Sequence, residues 1–479
     1  MTSRFIRSLG LILGIGLLIS GCGTQPSATP AETASPQVVW PTAETPPTPA
    51  IGSPKALRDD ISIRRVARAG GGYVRMALDT TTNTIYIMNS GGTIQKLMIN
   101  ADGSALLAPA HNPIEIGLRS KFGAAGLAFG PDGTMYVLEN VDTPSTNQIV
   151  VHRGKVQGDK REWAVLAETE PYPRSDTQFD HNGNGLIVSL DGESLFLNIG
   201  SRSDHGEIQD TKGANPNTRE VPLSSAIFRV STSTDGQVLP NDEAELKSKG
   251  YLYADGVRNA YDLAFNADGD LFAIDNGPDS DFADELNWIR EGHHYGFPWR
   301  FGNVDNPVRF EGYDPAKDGR LQQGFYAVSS GFYKYDAEYP APPEGITFSD
   351  PVVNIGPDAD IFREADGKIY DGSFVGQPTY TFSPHRSQLG LVFDTNNELG
   401  ADLTGLGFMV SWGAAAGDLP DTGRDLLSIK ATKIGDNYQI ETKQIAVGFN
   451  FSVDAVLLGK KLYVLDWGGD GFIWEVSMP

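Results

Sequence analysis

From about Ser62 onward the chain repeats one pattern: alternating apolar positions, a turn built on Asp, Asn or Gly, a second apolar run, then a loop. Strand side chains alternate between two faces, so each run predicts a half-buried strand and each pair across a short polar turn predicts a hairpin. The copies are Val74 to Leu78 with Ile85 to Ile87, GLAFGPDGTMYVLEN (Gly126 to Asn140), GLIVSLDGESLFLNIG (Gly185 to Gly200), YDLAFNADGDLFAIDNG (Tyr261 to Gly277), Leu389 to Asp394 with Gly405 to Trp412, and VDAVLLGKKLYVLDWG (Val453 to Gly468). Further strands fall between them at Ala226 to Val230, Asp425 to Ile429 and Phe472 to Val476. Six such units, each completed to about four strands, predict an all-β fold, a six-bladed β-propeller with long inserted loops. The insertions are Glu207 to Ser225 and Asn303 to Tyr380, and Asp242 to Lys249 is at most a short helix. A double β-sandwich is the alternative, which the recurring hairpin unit disfavours. The segment Ile61 to Ala67 is expected to complete the last blade and close the ring.

The N-terminus stands apart from this pattern. Arg4 and Arg7 precede an apolar run from Leu9 to Ile19, which is too short to span a bilayer and fits the apolar region of a signal peptide. Leu18-Ile19-Ser20-Gly21-Cys22 resembles a bacterial lipobox, which implies cleavage before Cys22 and lipid on that residue. Residues 1–22 are therefore read as a lipoprotein signal and residues 23–56, rich in Pro, Thr, Ala and Ser, as a disordered tether. Residues 57–479 are read as the propeller. The expected location is extracytoplasmic, with a lipid anchor to a bacterial membrane. Cys22 is the only cysteine, so no disulfide is expected inside the fold.

Composition narrows the partners. The formal net charge is -23, which argues against nucleic acid as a partner, since Lys and Arg must neutralise phosphates. Carboxylates gathered in loops suit a hard cation such as calcium.

Propeller ligands commonly sit at one end of the central channel, so residues flanking the hairpins draw attention: Lys121, Asp180-His181, Arg202, Arg258-Asn259, Gly277-Pro278, Arg386, Trp412 and Trp467. A histidine can take a proton from a substrate hydroxyl, and an adjacent carboxylate can orient it, which makes Asp180-His181 a candidate pair. Arg258 can stabilise an oxygen that gains negative charge. Gly277-Pro278, followed by Asp279, Asp281, Asp284 and Glu285, supplies carbonyls and carboxylates of the kind calcium prefers. A polar loop pair, a surface ion pair and a solvated acidic loop are the corresponding bland readings. His111, His152, His205 and the adjacent His293-His294 lack partners at metal-ligand spacing and are read as structural. There is no Cys/His set for zinc and no glycine-rich phosphate loop.

Taken together, FDHNGNGLIVSLDGESLFLNIG, VRNAYDLAFNADGDLFAIDNGPDSDFADELNWIREGHHYGFPWR and SPHRSQLGLVF resemble the soluble quinoprotein glucose/sorbosone dehydrogenase family, which includes aldose sugar dehydrogenases dependent on pyrroloquinoline quinone (PQQ). The resemblance covers most of the chain after about residue 60. It implies a six-bladed propeller that oxidises an aldose or related sugar and passes electrons through PQQ to an external acceptor. It implies that His181 is the base, that Arg258 stabilises charge on the quinone, and that Asn259 and Asp180 help hold the cofactor. It implies that Gly277 and Pro278 hold its calcium, and that Glu285 and Tyr295 bind a structural calcium.

The chain also departs from the family pattern. Gly413 stands where a lysine meets the cofactor's carboxylates, Phe451 and Val453 stand where an arginine pair does, and Lys121 aligns with a glutamine. Lys121, Arg202 and Arg386 are the cations expected to restore positive charge. Two other readings follow from these departures: a non-catalytic propeller that binds carbohydrate or protein, and a metal-dependent lactonase using Asp180, Asn259 and Asp275.

Overall fold

The computed structural model describes residues 50–479 except Ala101, so the signal and most of the tether lie outside the described residues. Six antiparallel sheets form the body, each begun by an inner strand: Tyr73–Asp79, Ala124–Phe129, Gly183–Val188, Ala260–Phe265, Gln388–Phe393 and Ser452–Leu458. Each inner strand packs on the next, and the sixth packs on the first, which makes a closed six-bladed propeller. The sandwich alternative is thereby excluded. Ser62–Arg68 pairs with Phe472–Ser477 as the outer strand of the last blade, so both ends of the domain meet in one sheet, as the sequence predicts.

The turns form where the polar residues dictate. In the second blade the Asp132 carboxylate accepts from the Thr134 amide at 2.9 Å, and Gly133 takes φ of 79°, a left-handed conformation that costs glycine little. In the fourth blade the Asn266 side chain accepts from both Asp268 and Asp270 amides.

Two expectations need correction. The fourth blade has three strands, Ala260–Phe265, Leu271–Asp275 and Glu285–Ile289. Its outer edge is capped instead by the long insertion, whose Val352 amide donates to the Leu286 carbonyl at 2.8 Å while Phe382 bridges to Asp284. The ordered chain also begins before residue 57. Lys55–Ala56 pairs with Asn437–Val447, and the Gly52 amide donates to the Gly448 carbonyl. Main-chain bonding orders a segment whose composition reads as tether.

All six inner strands carry a register shift at their first residues, at Tyr73/Arg75, Ala124/Gly126, Gly183/Leu186, Ala260/Asp262, Gln388/Gly390 and Ser452/Asp454. A bulge leaves a residue unpaired and re-aims its side chain. Six bulges at one level of the channel turn Asn184, Tyr261 and Leu389 into one shared cavity at its mouth. Gly185 and Gly390 permit this crowding: a Cβ on Gly390 would lie 2.9 Å from the Asp454 Cα.

Below the bulges the channel is closed by Arg75. Its guanidinium donates to the carbonyls of Ala125 (2.7 Å) and Tyr261 (2.8 Å) and lies 4.0 Å from the centre of the Tyr261 ring. Asp454 is buried and Asp262 partly buried beside it, and they accept from the Met76 and Leu391 amides respectively. Burial first, and then the Asp262 charge, pushes the Asp454 carboxyl up to about 8, with the Arg75 charge opposing the shift.

Candidate active site

The cavity at the channel mouth has two unlike walls. His181, Arg258, Asn276, Gly277, Pro278, Asp279 and Asp284 form one side, and Ser387, Leu389, Trp412 and Gly413 the other. Four of the sequence candidates, His181, Arg258, Asn259 and the Gly277-Pro278 pair, meet here.

His181 enters just before the inner strand of the third blade. Its amide donates to the Ser201 carbonyl at 2.9 Å, and Gly200 lacks a Cβ that would stand 2.5 Å from the histidine's own. Ser201 Oγ donates its proton to the Ser203 carbonyl at 2.7 Å. It is therefore the acceptor in its 3.0 Å contact with His181 Nδ1, which fixes the proton on Nδ1 and leaves Nε2 as the basic nitrogen. Burial, reinforced by the Arg258 charge, lowers the imidazole pKa to about 3, so His181 is neutral.

Arg258 is clamped rather than free. Its Nε donates to the Asp204 carbonyl at 2.7 Å, Nη2 to the Asp204 carboxylate at 2.9 Å, and Nη1 to the Asn276 carbonyl at 3.1 Å. Asp204 is fully buried, and its other oxygen bonds His205 Nδ1 (2.9 Å) and the Tyr333 hydroxyl (3.1 Å). Burial alone would raise the Asp204 carboxyl, but the His205 hydrogen bond and the Arg258 charge hold it down at about 2. The Asp275 carboxylate caps the backbone amides of both Arg258 and Asn259, which sets the start of the fourth blade. The Asn259 side-chain oxygen accepts from Asn184 at 3.3 Å.

The oxygen-rich wall follows directly in sequence. Asp284 accepts from the Gly277 amide (2.8 Å) and from the Ser387 amide (2.9 Å), so it joins the start of the fifth blade to this wall. Burial and then the nearby Asp204 charge raise Asp279 to about 6. Asn276 Oδ1 is buried with no partner among the described residues, and so is Trp412 Nε1 on the facing wall.

The remaining candidates lie elsewhere. Asp180 turns into a neighbouring cleft, where Asn147 donates to both its oxygens at 2.9 Å and Arg174 lies 3.5 Å away. Burial raises it to about 7. Ser201, not Asp180, orients His181. Arg202 is fully buried and spends its guanidinium on the carbonyls of Pro173, Arg174, Gln209, Thr218 and Arg219. Arg386 is equally buried and paired with Asp421 and, at 2.6 Å, with Asp425. Lys121 lines the neighbouring cleft with Asp180, 5.1 Å from the Phe122 ring centre. None of these three cations reaches the cavity. The reason is physical: a buried guanidinium must be paired, and local carbonyls and carboxylates already pair both arginines.

Glu285 lies opposite Asp275 across the strand pair and accepts from the Gly302 amide at 2.6 Å. Burial and then the Asp275 charge raise it to about 8. The Tyr295 hydroxyl donates to the Trp288 carbonyl and accepts from the Arg290 amide at 2.8 Å, so protein groups already use it and it pins the loop directly. Among the described residues no three His, Cys, Asp or Glu side chains converge as a metal-holding group.

Two site residues escaped the sequence reading. Asp204 carries no motif of its own, and its role depends on an arginine in the next blade. His385 lines the cavity, stacks on Phe325 with ring centres 4.0 Å apart and bonds Asp281 at 2.8 Å. It lies inside SPHRSQ, where a histidine next to an arginine in a loop was the available signal.

Comparison with known proteins agrees with the propeller fold. No curated protein sequence matches the chain. Among solved structures, the holo form of the pyranose dehydrogenase PQQ domain from Coprinopsis cinerea is similar at 12% identity, with a TM-score of 0.55, over 90% of this chain and 98% of that one. The apo-form of the soluble aldose sugar dehydrogenase from Escherichia coli is similar at 15% identity, with a TM-score of 0.50, over 88% of this chain and 100% of that one. At these identities the likeness establishes the propeller fold. The family model for glucose/sorbosone dehydrogenase matches residues 76–325, more than half of the chain and the part that carries His181, Asp204, Arg258 and the Gly277-Pro278 wall. The chain therefore belongs to the glucose/sorbosone dehydrogenase family.

Proposed function

We propose that this protein oxidises an aldose or a related sugar, with PQQ and calcium as cofactors and an external electron acceptor. The observation that carries this reading is the neutral His181, with its basic nitrogen defined, beside an Arg258 that Asp204 holds in place.

The residues present fit both cofactors. Calcium takes oxygen ligands, and the Gly277 and Pro278 carbonyls, the unpartnered Asn276 Oδ1 and the Asp279 carboxylate are the oxygens of this lining that would hold it. A planar group that bears carbonyls and carboxylates would be met by Arg258 and the Asn184 and Asn259 amides, with the Trp412 ring beside them. When bound, the quinone supplies a two-electron acceptor. The chain supplies the rest. His181 Nε2 takes the proton of the anomeric hydroxyl, with Ser201 holding the ring so that the proton cannot shift between nitrogens. Arg258 offers a fixed positive charge where an oxygen becomes anionic, with no side-chain reorganisation required. The N-terminal sequence supports a lipid anchor on Cys22 and an extracytoplasmic location.

Calcium- and PQQ-loaded protein is expected to reduce an artificial acceptor with at least one sugar, and His181→Asn is expected to lower this about 10²- to 10⁴-fold. No turnover across a broad sugar panel would overturn the reading. A non-catalytic propeller that binds carbohydrate is the second reading, favoured by the engagement of Arg202 and Arg386 elsewhere. Calorimetric sugar binding that ignores PQQ would support it. The lactonase reading loses its ligand set, because Asp180 faces another cleft and Asp275 is capped by two amides.

A further inference from the structure

The channel mouth holds a second imidazole, to which the reaction above gives no task. His385 lines the same cavity as His181, and its side chain keeps 11% of its surface exposed. It belongs to the wall of Ser387 and Leu389, just ahead of the inner strand Gln388–Phe393. Its Nε2 lies 2.8 Å from one oxygen of Asp281. The other oxygen of Asp281 accepts from Arg363 Nε at 2.6 Å, and that arginine also donates to the Gly367 carbonyl (3.1 Å) and to Asp418. A carboxylate paired with a guanidinium can only accept, so Nε2 carries the ring proton. The neutral ring then presents Nδ1 as an acceptor.

Nδ1 makes no hydrogen bond among the described residues and, unlike Trp412 Nε1, is not sealed inside the protein. The ring around it is held firmly. Phe325, also in the lining, stacks on one face with centres 4.0 Å apart and planes inclined by 22°. The next residue, Tyr326, places its ring 5.7 Å from that of Phe179, and the Ala327 amide donates to Asp279 at 3.1 Å. The long insertion therefore bridges the mouth from His385 to the loop that delivers His181. The His385 backbone has φ of 64°, the left-handed region that non-glycine residues avoid, and the bond from the Ser387 amide to Asp284 helps to hold it there.

The proposed reaction brings three kinds of group to this cavity. Calcium takes oxygen ligands, so an imidazole nitrogen is a poor partner for it. Carboxylate and quinone oxygens are acceptors, as Nδ1 is. Sugar hydroxyls are donors. We propose that His385 is a specificity-determining residue, whose Nδ1 accepts a hydrogen bond from a sugar hydroxyl other than the anomeric one. This rests on the sugar-oxidation reading above. The two histidines then divide the substrate: His181 takes the anomeric proton, and His385 reads a hydroxyl elsewhere on the ring. Asp281 and Arg363 fix the tautomer of His385 as Ser201 fixes that of His181. A site built to pair with a substrate hydroxyl rejects the analogue that lacks it, because its own polar atom is left unpaired.

The test compares kcat/KM of full-length protein loaded with calcium and PQQ for its best aldose and for the monodeoxy forms of that sugar. His385→Gly removes the ring and suits the left-handed backbone. His385→Asn suits it too and offers an amide oxygen in place of Nδ1. His385→Gly is expected to lower kcat/KM for the parent sugar about 10- to 100-fold. It is expected to leave unchanged the kcat/KM of the one deoxy form that lacks the contacted hydroxyl, and His385→Asn is expected to recover part of the loss. PQQ affinity, read by quenching of tryptophan fluorescence, should be the same in all three proteins. An equal loss across the whole deoxy series, unchanged turnover, or a loss of PQQ affinity that matches the loss of turnover would each overturn the proposal. If the loaded wild type oxidises no sugar, the oxidation reading fails by itself, and calorimetry with the same sugar panel decides the contact. Binding that depends on His385 sustains it, and binding that ignores His385, or no binding, overturns it.

Discussion

Asp204→Asn is the substitution that most sharply tests how the site is held. The two side chains have nearly the same shape, so the change removes a charge and converts one acceptor into a donor. In the wild type the fully buried carboxylate receives hydrogen bonds from Arg258, the Asp279 amide, His205 and Tyr333. Holding a carboxyl at about 2 instead of its ordinary 3.8 corresponds to about 2 kcal/mol of folding free energy at neutral pH. The pKa is depressed on folding, so this stability is present above about pH 4 and is lost as the pH falls towards 2. Breaking the pair costs more than the protonation balance alone, because Arg258 is left buried without its anion, and losses of about 3–5 kcal/mol are typical. Urea unfolding of the full-length protein at pH 7 is therefore expected to show Asp204→Asn less stable by that amount. The gap should narrow by about 2 kcal/mol towards pH 2, where the wild-type carboxyl is also protonated. Turnover should fall as well, since Arg258 loses the anchor on Nη2. Equal urea midpoints at pH 7, or a stability gap that does not change with pH, would refute the clamp.

Three further outcomes follow from the same geometry. His181→Asn should lower kcat/KM about 10²- to 10⁴-fold while leaving the melting temperature close to wild type. Because the imidazole is neutral above about pH 3, the wild-type pH–rate profile should show no loss of this base on acidification from pH 8 to 5, and a loss of base centred near 6.5 that disappears in the variant would contradict the assigned environment. Arg386→Met leaves Asp421 and Asp425 without their cation, so chemical denaturation should register a loss of about 3–5 kcal/mol, with PQQ affinity unchanged in the fraction that folds. Asp454 has a raised pKa, so its contribution is fully present below about pH 4 and is lost as the pH rises towards 8. Asp454→Asn should accordingly flatten the fall in thermal midpoint between pH 4 and 8, and parallel curves would count against a proton stored at that carboxyl.

The propeller was legible because its signal is local. Period-two alternation and Asp-Gly or Asn-containing turns lie within about 17 residues of each other, and the hairpins formed where those patterns fall, including the closing strand at Ser62–Arg68. His181, Arg258 and Gly277-Pro278 were legible because each sits at the end of an inner hairpin that borders the channel mouth. The cations were not. Arg202 and Arg386 also lie at hairpin ends, yet the carbonyls of residues 173–219 capture one and Asp421 and Asp425 the other. Whether an arginine is free or spent depends on which anions the fold brings to it, and spacing along the chain does not encode that.

Orphaned polar atoms do not by themselves mark a ligand site in this protein. Trp163, Tyr172 and Arg75 also carry unpaired buried atoms, far from the cavity or beneath it. What distinguishes Asn276 and Trp412 is that both residues line the channel mouth together with His181 and Arg258. Each unpaired buried group costs about 1–3 kcal/mol in the free protein. A ligand that brought a donor to Asn276 and an acceptor to Trp412 would return that cost on binding, so the same arrangement that penalises the free propeller favours a polar occupant of this cavity over an apolar one.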